Sequence, residues 1–382
     1  MEYRILGRTG LKVGAIALGC EGFADKTAEE VRADFDFAIR NGINFLDLYA
    51  SNPELRSNIG AALAGRREKF VIQGHLCSVW EEGQYLRTRD PEKSLAAFED
   101  MLARLGTDYV EIGMIHYVDA EADLREVLDG PIIRLAQRLR SEGRIRHIGL
   151  SSHNPVVAHM AARTGLIDVL MFSVNPCYDL LPPSDDVDTL WADESYAREL
   201  HNIDPERQRL YEFCEREGIA IDVMKAYGGG DLLSDANSPF GRPMTPVQCL
   251  EYALTRPGVA AVMAGCRSRA EIEAALAWCS ATAAERDYTG ALAGLDKFSW
   301  EGHCMYCGHC APCSVGIDIA GVNKYYNLTL AQHEIPETVR EHYRLLPHHA
   351  SECIACGRCE RNCPFGVDII GHMRLAAAKF GY

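Results

Sequence analysis

Eight of the fifteen cysteines fall in the last 79 residues, in two runs: "CMYCGHCAPC" over 304–313 and "CIACGRCERNCP" over 353–364. The first run spaces Cys304, Cys307, Cys310 and Cys313 two residues apart; the second holds Cys353, Cys356, Cys359 and then Cys363, followed by Pro364. Thiolates are soft ligands suited to iron–sulfur clusters or to zinc. Two-residue gaps let one tight loop wrap three thiolates around a single [4Fe–4S] cube, whereas zinc ribbons use separated CxxC knuckles. Two overlapping runs therefore predict two [4Fe–4S] clusters, with two four-cysteine zinc sites as the alternative on ligand count. The other thiols (Cys20, Cys77, Cys177, Cys214, Cys249, Cys266 and Cys279) are scattered and read as small buried hydrophobes.

A second group of side chains could do acid–base chemistry: Asp47, Tyr49, His75, His116, Ser151 to Asn154, Asn175 and Lys225. Each follows or ends a short apolar run. Eight such runs read as strands, "AIAL" (15–18), "NFLD" (44–47), "FVIQGH" (70–75), "VEIGMIH" (110–116), "HIGLS" (147–151), "VLMFSV" (169–174), "AIDVMK" (220–225) and "AAVMAG" (260–265). Amphipathic stretches such as "TAEEVRADFDFAIRNG" (27–42) alternate with them, and eight strand–helix units predict an α/β fold of (β/α)8 TIM-barrel type. An open doubly wound sheet would carry a Gly-rich loop after its first strand, which "GCEGF" (19–23) matches poorly. In a barrel the strand ends share one face, so the polar group predicts a site there. Asp47 as a turn cap and His116 as a satisfied core histidine are the structural alternatives.

Two further loops stand where barrels hold phosphate. "AYGGGD" (226–231) brings Gly228 and Gly229; "GCRSRAE" (265–271) brings Gly265, Arg267, Ser268, Arg269 and Glu271 at a helix start. A net charge of −15 argues against nucleic acid and against an anionic membrane. With no apolar run of membrane-spanning length and no export signal visible, a cytoplasmic location and a small-molecule substrate are expected.

Residues 1–290 resemble the aldo-keto reductases, through "YRILGRTGLKVGAIALG" (3–19), "GINFLD" (42–47), "LGTDYVEIGMIH" (105–116), "IGLSSHN" (148–154) and "GVAAVMAGCRSRAEIEAAL" (258–276). The resemblance implies a barrel closed below by an N-terminal hairpin, binding NADP(H) or NAD(H), with Ser151, Asn175, Lys225 and the two phosphate loops around the cofactor. It also implies a tetrad in which a tyrosine, polarised by a lysine–aspartate pair, protonates a carbonyl beside a histidine. Asp47 and His116 match. The tyrosine position is Asn52, with Gly60 keeping the register, and the lysine position is His75. An amide has no proton to give near neutral pH. Three consequences stay open: Tyr49 as a displaced acid with His75 as its partner, proton transfer by His75 and His116 themselves, or loss of carbonyl reduction.

The tail, divided from the barrel between 295 and 296, is similar to a small ferredoxin-like domain found in an iron–sulfur subgroup of that family. In the bacterial two-cluster pattern the fourth cysteine crosses over. That implies Cys304, Cys307, Cys310 and Cys363 on one cluster and Cys353, Cys356, Cys359 and Cys313 on the other. Ser314 stands where proline is usual, and 39 residues separate Cys313 from Cys353. The tail histidines (His303, His309, His333, His342, His348, His349, His372) are assigned no role. Nicotinamide gives two electrons as hydride and a cluster carries one, and no flavin motif is present. The clusters could be structural staples, pass electrons into a barrel-bound substrate, or be fed by an outside ferredoxin or flavoprotein. The function is then an oxidoreductase with an electron-relaying tail or, alternatively, an electron-transfer or non-redox lyase or isomerase protein on a retained barrel.

Overall fold

The computed structural model describes residues 1–295, 297–330 and 335–382. The chain opens with an antiparallel hairpin, β1 (Tyr3–Ile5) and β2 (Lys12–Gly14). The strands that follow are β3 (Ile16–Gly19), β4 (Phe45–Leu48), β5 (Val71–Leu76), β6 (Ser78–Glu81), β7 (Gln84–Arg87), β8 (Val110–Ile115), β9 (Ile145–Ser152), β10 (Val169–Ser173), β11 (Leu200–His201), β12 (Ala220–Met224), β13 (Val259–Gly265) and β14 (Phe298–Ser299). Eight of them close into a barrel in the order β3, β4, β5, β8, β9, β10, β12, β13, each parallel to its neighbours. These are the eight runs read from the sequence. Three additions were not: the antiparallel pair β6–β7, and β11 and β14, which pair with each other across nearly a hundred residues.

The barrel has two cores because each strand is apolar on both faces. Inward residues such as Ala17, Phe45, Ile112, Met171, Ala261 and Met263 pack together with Leu6 and Val13, so the opening hairpin plugs the barrel floor. Outward residues pack on the surrounding helices. The helix Ala28–Arg40 shows why they form where they do. Thr27 caps it in a box with Glu30, its buried face is Val31, Phe35 and Ala38, and Gly42 turns the chain away at φ +83°.

The tail contributes helices Ile319–Leu330, Glu337–Arg344, Arg358–Asn362 and Ile369–Phe380, giving a small, mainly helical unit beside the barrel. Helices Ile319–Leu330 and Ile369–Phe380 are joined by His372 Nδ1 to Asn323 Oδ1 (2.7 Å) and by Lys379 Nζ donating to the Thr329 carbonyl (2.8 Å). No described helix is long and apolar enough to cross a membrane. The boundary expected between 295 and 296, like His333, involves a residue outside the described ones.

Gly60 marks the tightest helix–helix approach near the site. It lies on the helix Pro53–Leu63, and a Cβ there would run into the Arg104 carbonyl on the helix Pro91–Leu105. Gly60→Ala is expected to lower unfolding stability by about 2–3 kcal/mol through overpacking. Gly290→Ala, where a Cβ meets open space, should be neutral or slightly stabilising in the same denaturant titration.

Candidate functional site

At the carboxyl ends of the barrel strands four polar groups form one chain. Gln73 and His75 share the inward face of β5 because side chains alternate along a strand, and β4 brings Asp47 beside them. Asp47, 2% exposed, accepts from Gln73 Nε2 (2.9 Å) and from His75 Nε2 (2.9 Å) on the same oxygen, Oδ1. His75 Nδ1 then lies 2.7 Å from His116 Nδ1, and His116 Nε2 lies 2.7 Å from the hydroxyl of Tyr85. Two N–H donors on one oxygen favour an ionised Asp47, which sets His75 as an Nε2–H tautomer. Burial first, then the neighbouring His75 and Arg89, push the His116 imidazole well below its ordinary range, so it stays neutral.

Gln73 Nε2 also reaches Asp222 Oδ2 (3.0 Å), deep in the barrel. Burial, then the charge of Asp47, raises the Asp222 carboxyl well above the usual range.

Tyr49 is next to this chain but outside it. Its ring stacks parallel on His116 at 5.5 Å, and burial followed by the Glu21 carboxylate pushes its phenol upward. Asn52, at the tyrosine position of the tetrad, is the N-cap of Pro53–Leu63 and accepts from the Leu55 N–H (3.0 Å). Sequence reasoning missed Tyr85. Its carrier, "SVWEEGQYLR" (78–87), is an alternating stretch broken by Glu82–Gly83, both at positive φ, which is a readable hairpin signal.

The residues expected around a nicotinamide divide into two groups. Gly228, Gly229 and Gly230 have φ of +61°, +73° and +110°, Cβ atoms on Gly229, Gly230 and Gly265 would meet open space, and Arg267 is exposed. That open, cationic lip fits a phosphate. Lys225 is also exposed, at φ +62°, with its ammonium 5.9 Å from the ring of Trp191. The others are spent internally. Asn175 accepts from the N–H groups of Cys177 (3.0 Å) and Tyr178 (2.9 Å) and donates to the Lys225 carbonyl (2.9 Å); Ser151 Oγ accepts from the Tyr117 N–H (2.8 Å). Ser268 caps the helix Arg269–Leu276, and Glu271 Oε2 takes the Arg267 N–H (2.6 Å) that a phosphate would want. Arg269 is paired with Glu273.

In the tail, Cys304, Cys307, Cys310 and Cys363 line one cavity and Cys313, Cys353, Cys356 and Cys359 line another, each walled mostly by apolar side chains. Among the described residues no three His, Cys, Asp or Glu side chains converge on a single-ion position. Four thiols spread around a cavity fit a multi-iron cube better than one zinc ion. Two equivalent turns produce the crossing. "CSVGIDIAG" (313–321) and "CPFGVDIIG" (363–371) each carry a positive-φ glycine and an aspartate that accepts the N–H three residues on, Asp318 from Gly321 (3.0 Å) and Asp368 from Gly371 (2.9 Å). This internal repeat is visible in the sequence and was not used. Of the scattered cysteines, six are buried and Cys279 partly so. His309, His348 and His372 pair with Asp287, Glu352 and Asn323.

The cavity containing Cys304 abuts the barrel flank. Tyr288 donates to the Met305 carbonyl (2.7 Å), as does the buried guanidinium of Arg256, and Lys324 pairs with Glu215 at 2.8 Å. The other cavity faces outward, with Cys356 exposed.

A closed parallel (β/α)8 barrel with a polar mouth thus carries a flanking helical unit whose two thiol quartets suit iron–sulfur ligation. Residues 11–246 match the family model of the aldo/keto reductase family, and residues 303–368 match that of a 4Fe-4S dicluster domain. The chain belongs to the aldo/keto reductase family. Among curated proteins it is similar to the uncharacterized oxidoreductase YqkF of Bacillus subtilis, 28% identical over 179 residues (45% of this chain, 56% of the relative). It is also similar to L-galactose dehydrogenase of Arabidopsis thaliana, 28% identical over 202 residues (48% of this chain, 61% of the relative). The chain thus spans little more than half the length of these relatives. Among solved structures, the holo form of an aldo-keto reductase from Bacillus halodurans superposes with a TM-score of 0.58 at 24% identity, over 75% of this chain and 94% of that one, a likeness of fold.

The buried neutral His116 has a consequence for stability. An unfolded histidine binds its proton near pH ~6.5 and the folded one only at lower pH, so the unfolded state gains protons first as pH falls. Unfolding free energy should therefore decline below about pH 6.5, by up to about 1.4 kcal/mol per pH unit more in the wild type than in His116→Phe, measured by denaturant titration.

Proposed function

We propose that this chain is an iron–sulfur oxidoreductase that reduces a small carbonyl compound at the barrel mouth, receives its electrons through the tail, and handles protons with His75 and His116. Residues 1–295 form the reaction domain and 296–382 the electron-carrying one. The observation that carries this reading is a continuous connection between the two. Tyr288 hydrogen-bonds Met305, its ring meets that of Tyr252 at 5.4 Å, Tyr252 donates to Asp179 Oδ2 (2.7 Å), and the Asp179 N–H donates to the carbonyl of Asn175 at the barrel mouth (3.0 Å).

Cys304, Cys307, Cys310 and Cys363 would hold one [4Fe–4S] cluster and Cys313, Cys353, Cys356 and Cys359 a second. Such clusters supply electrons singly. Exposure at Cys356 suits the outer site to an external ferredoxin or flavoprotein donor, whereas Met305 and Tyr306 seal the inner site toward the barrel. Converting a carbonyl to an alcohol takes two electrons and two protons. His75, bound to ionised Asp47, is the group able to hold a proton as imidazolium, and His116 passes it on. This departs from the family tetrad in a consistent way: a lysine at residue 75 would end the chain at Asp47, while an imidazole offers a second ring nitrogen that continues it to His116. Gly228, Gly229, Gly265 and Arg267 would hold a nucleotide phosphate, with Ser151, Asn175, Lys225, Ser268 and Glu271 around it, and the internal use of Asn175 and Glu271 makes nicotinamide the weaker route for electrons.

Anaerobically purified protein is expected to contain about eight iron and eight sulfide per chain and no zinc, from two cubes. A reduced ferredoxin-type donor should sustain aldehyde reduction in steady state, and NADPH alone should not. Zinc in the tail, or full NADPH-driven turnover in a Cys353→Ser/Cys356→Ser variant, would overturn the reading.

A further inference from the structure

We propose that Tyr85, carried to the barrel mouth by the β6–β7 hairpin, is the residue that exchanges the proton with substrate, at the outer end of a one-proton relay running Asp47–His75–His116–Tyr85. The inference rests on the carbonyl reading above for its substrate, but the relay stands on its own geometry.

The distances along the relay are 2.9, 2.7 and 2.7 Å, and they connect a buried carboxylate to a residue that is 38% exposed. Each contact uses a different ring nitrogen, so with Asp47 ionised and any extra proton on the ring it touches, the protons have two arrangements. In the first, Asp47 is ionised and both rings are neutral: His75 Nε2–H points at Asp47, His116 Nδ1–H points at His75 Nδ1, and the Tyr85 O–H points at His116 Nε2. The phenol oxygen then has a lone pair facing outward and can accept a proton. In the second, one extra proton makes His75 an imidazolium beside Asp47, His75 Nδ1–H donates to His116 Nδ1, His116 Nε2–H donates to the Tyr85 oxygen, and the Tyr85 O–H faces outward.

Reduction starts from the second arrangement. As two electrons from a one-electron donor of ferredoxin type convert the carbonyl to an alcohol, the Tyr85 O–H bond breaks and the substrate O–H bond forms. His116 Nε2 gives its proton to the phenol oxygen, and His75 Nδ1 gives its proton to His116 Nδ1. One proton leaves the protein, the second required proton comes from solvent to the carbonyl carbon, and the relay is left in the first arrangement. Oxidation of an alcohol runs the same shifts backward.

The surroundings support this assignment. Tyr85 is phenolic because burial raises it above its ordinary range. The extra proton rests on His75 and not His116, because Asp47 contacts only the former. Tyr49 packs on both Tyr85 (6.2 Å, rings perpendicular) and His116, which fixes the ring planes without joining the relay. Arg87 and Arg89, on the strand and turn beyond Tyr85, both bind Asp123 and the Tyr117 carbonyl, and Arg89 also the His116 carbonyl, which ties the hairpin to the segment carrying His116. A tyrosine hydroxyl thus stands against His116 Nε2, carried there by a hairpin outside the barrel strands.

The test has two arms. In protein labelled with 15N at histidine, NMR at a pH where His75 holds a single proton should show opposite tautomers, Nε2–H for His75 and Nδ1–H for His116, and Tyr85→Phe should shift the His116 Nε2 resonance while leaving His75 in place. With 4-nitrobenzaldehyde as substrate and reduced methyl viologen as donor, Tyr85→Phe should lower kcat about 100-fold with KM changed less than about threefold, whereas the neighbouring Gln84→Ala stays within about threefold of wild type. His116 protonated on Nε2 while His75 carries a single proton, or Tyr85→Phe turning over like Gln84→Ala, would overturn the proposal. If the wild type leaves the aldehyde untouched while both tautomers and the Tyr85→Phe shift are as expected, the relay stands and the carbonyl reading fails.

Discussion

The organisation of the barrel mouth depends on one buried oxygen, Asp47 Oδ1. Burying an ionised carboxylate costs several kcal/mol unless hydrogen bonds replace the lost water, and here two N–H groups, from Gln73 and His75, do so. Because that oxygen must accept, His75 must donate through Nε2, which leaves its Nδ1 free to face His116. The direction of every later hydrogen bond follows from this. Asp222 shares Gln73 with Asp47, and burial raises its carboxyl well above the usual range, which disfavours a second buried charge there. A lysine at residue 75 could satisfy Asp47 as well, but it would offer no acceptor to continue the chain.

A second constraint joins the two parts of the molecule. Arg256 is 2% exposed and donates to the Met305 carbonyl while stacking on Tyr252 (4.5 Å) and Tyr306 (5.4 Å). Its guanidinium lies between the loop holding Cys304 and Cys307 and the helix Pro246–Leu254, so the tail is fixed to the barrel flank by a group that cannot leave without stranding buried tyrosines and a carbonyl. The parallel pair β11–β14 adds a tie between the long connection from β10 to β12 and the start of the tail. Both contacts hold the inner cysteine cavity against the barrel while the outer one faces solvent, an arrangement suited to electrons arriving from outside and moving inward.

The barrel was legible because its strands are apolar on both faces and its helices on one, a contrast that periodicity reads directly, so all eight strands fell where expected. The crossed grouping of the cysteines was legible only through the bacterial two-cluster pattern, and each of the two quartets it implies lines one cavity in the structure. Tyr85 was not legible as a site residue, since it lies on neither a barrel strand nor its immediate end, and its role depends on a hairpin folding back over the mouth. That Asn52 caps a helix was not legible from its place in the motif. The phosphate loops show the opposite limit: Gly228 to Gly230 do form an open lip, but whether Asn175 and Glu271 were free or engaged depended on loop conformation that residue types alone do not encode. Pairings such as β11 with β14 bring together segments nearly a hundred residues apart, with two residues each, too short to leave a pattern.

The proposed function has electrons reach a barrel-bound substrate from the tail while the mouth moves protons. Its most direct test is a single-turnover experiment on anaerobic, dithionite-reduced protein freed of excess reductant and mixed with 4-nitrobenzaldehyde in the absence of nicotinamide. The account predicts that the visible iron–sulfur absorbance recovers as aldehyde is consumed, with two reducing equivalents lost per alcohol formed. Absorbance that stays bleached, with aldehyde consumed only after NADPH is added, would contradict it.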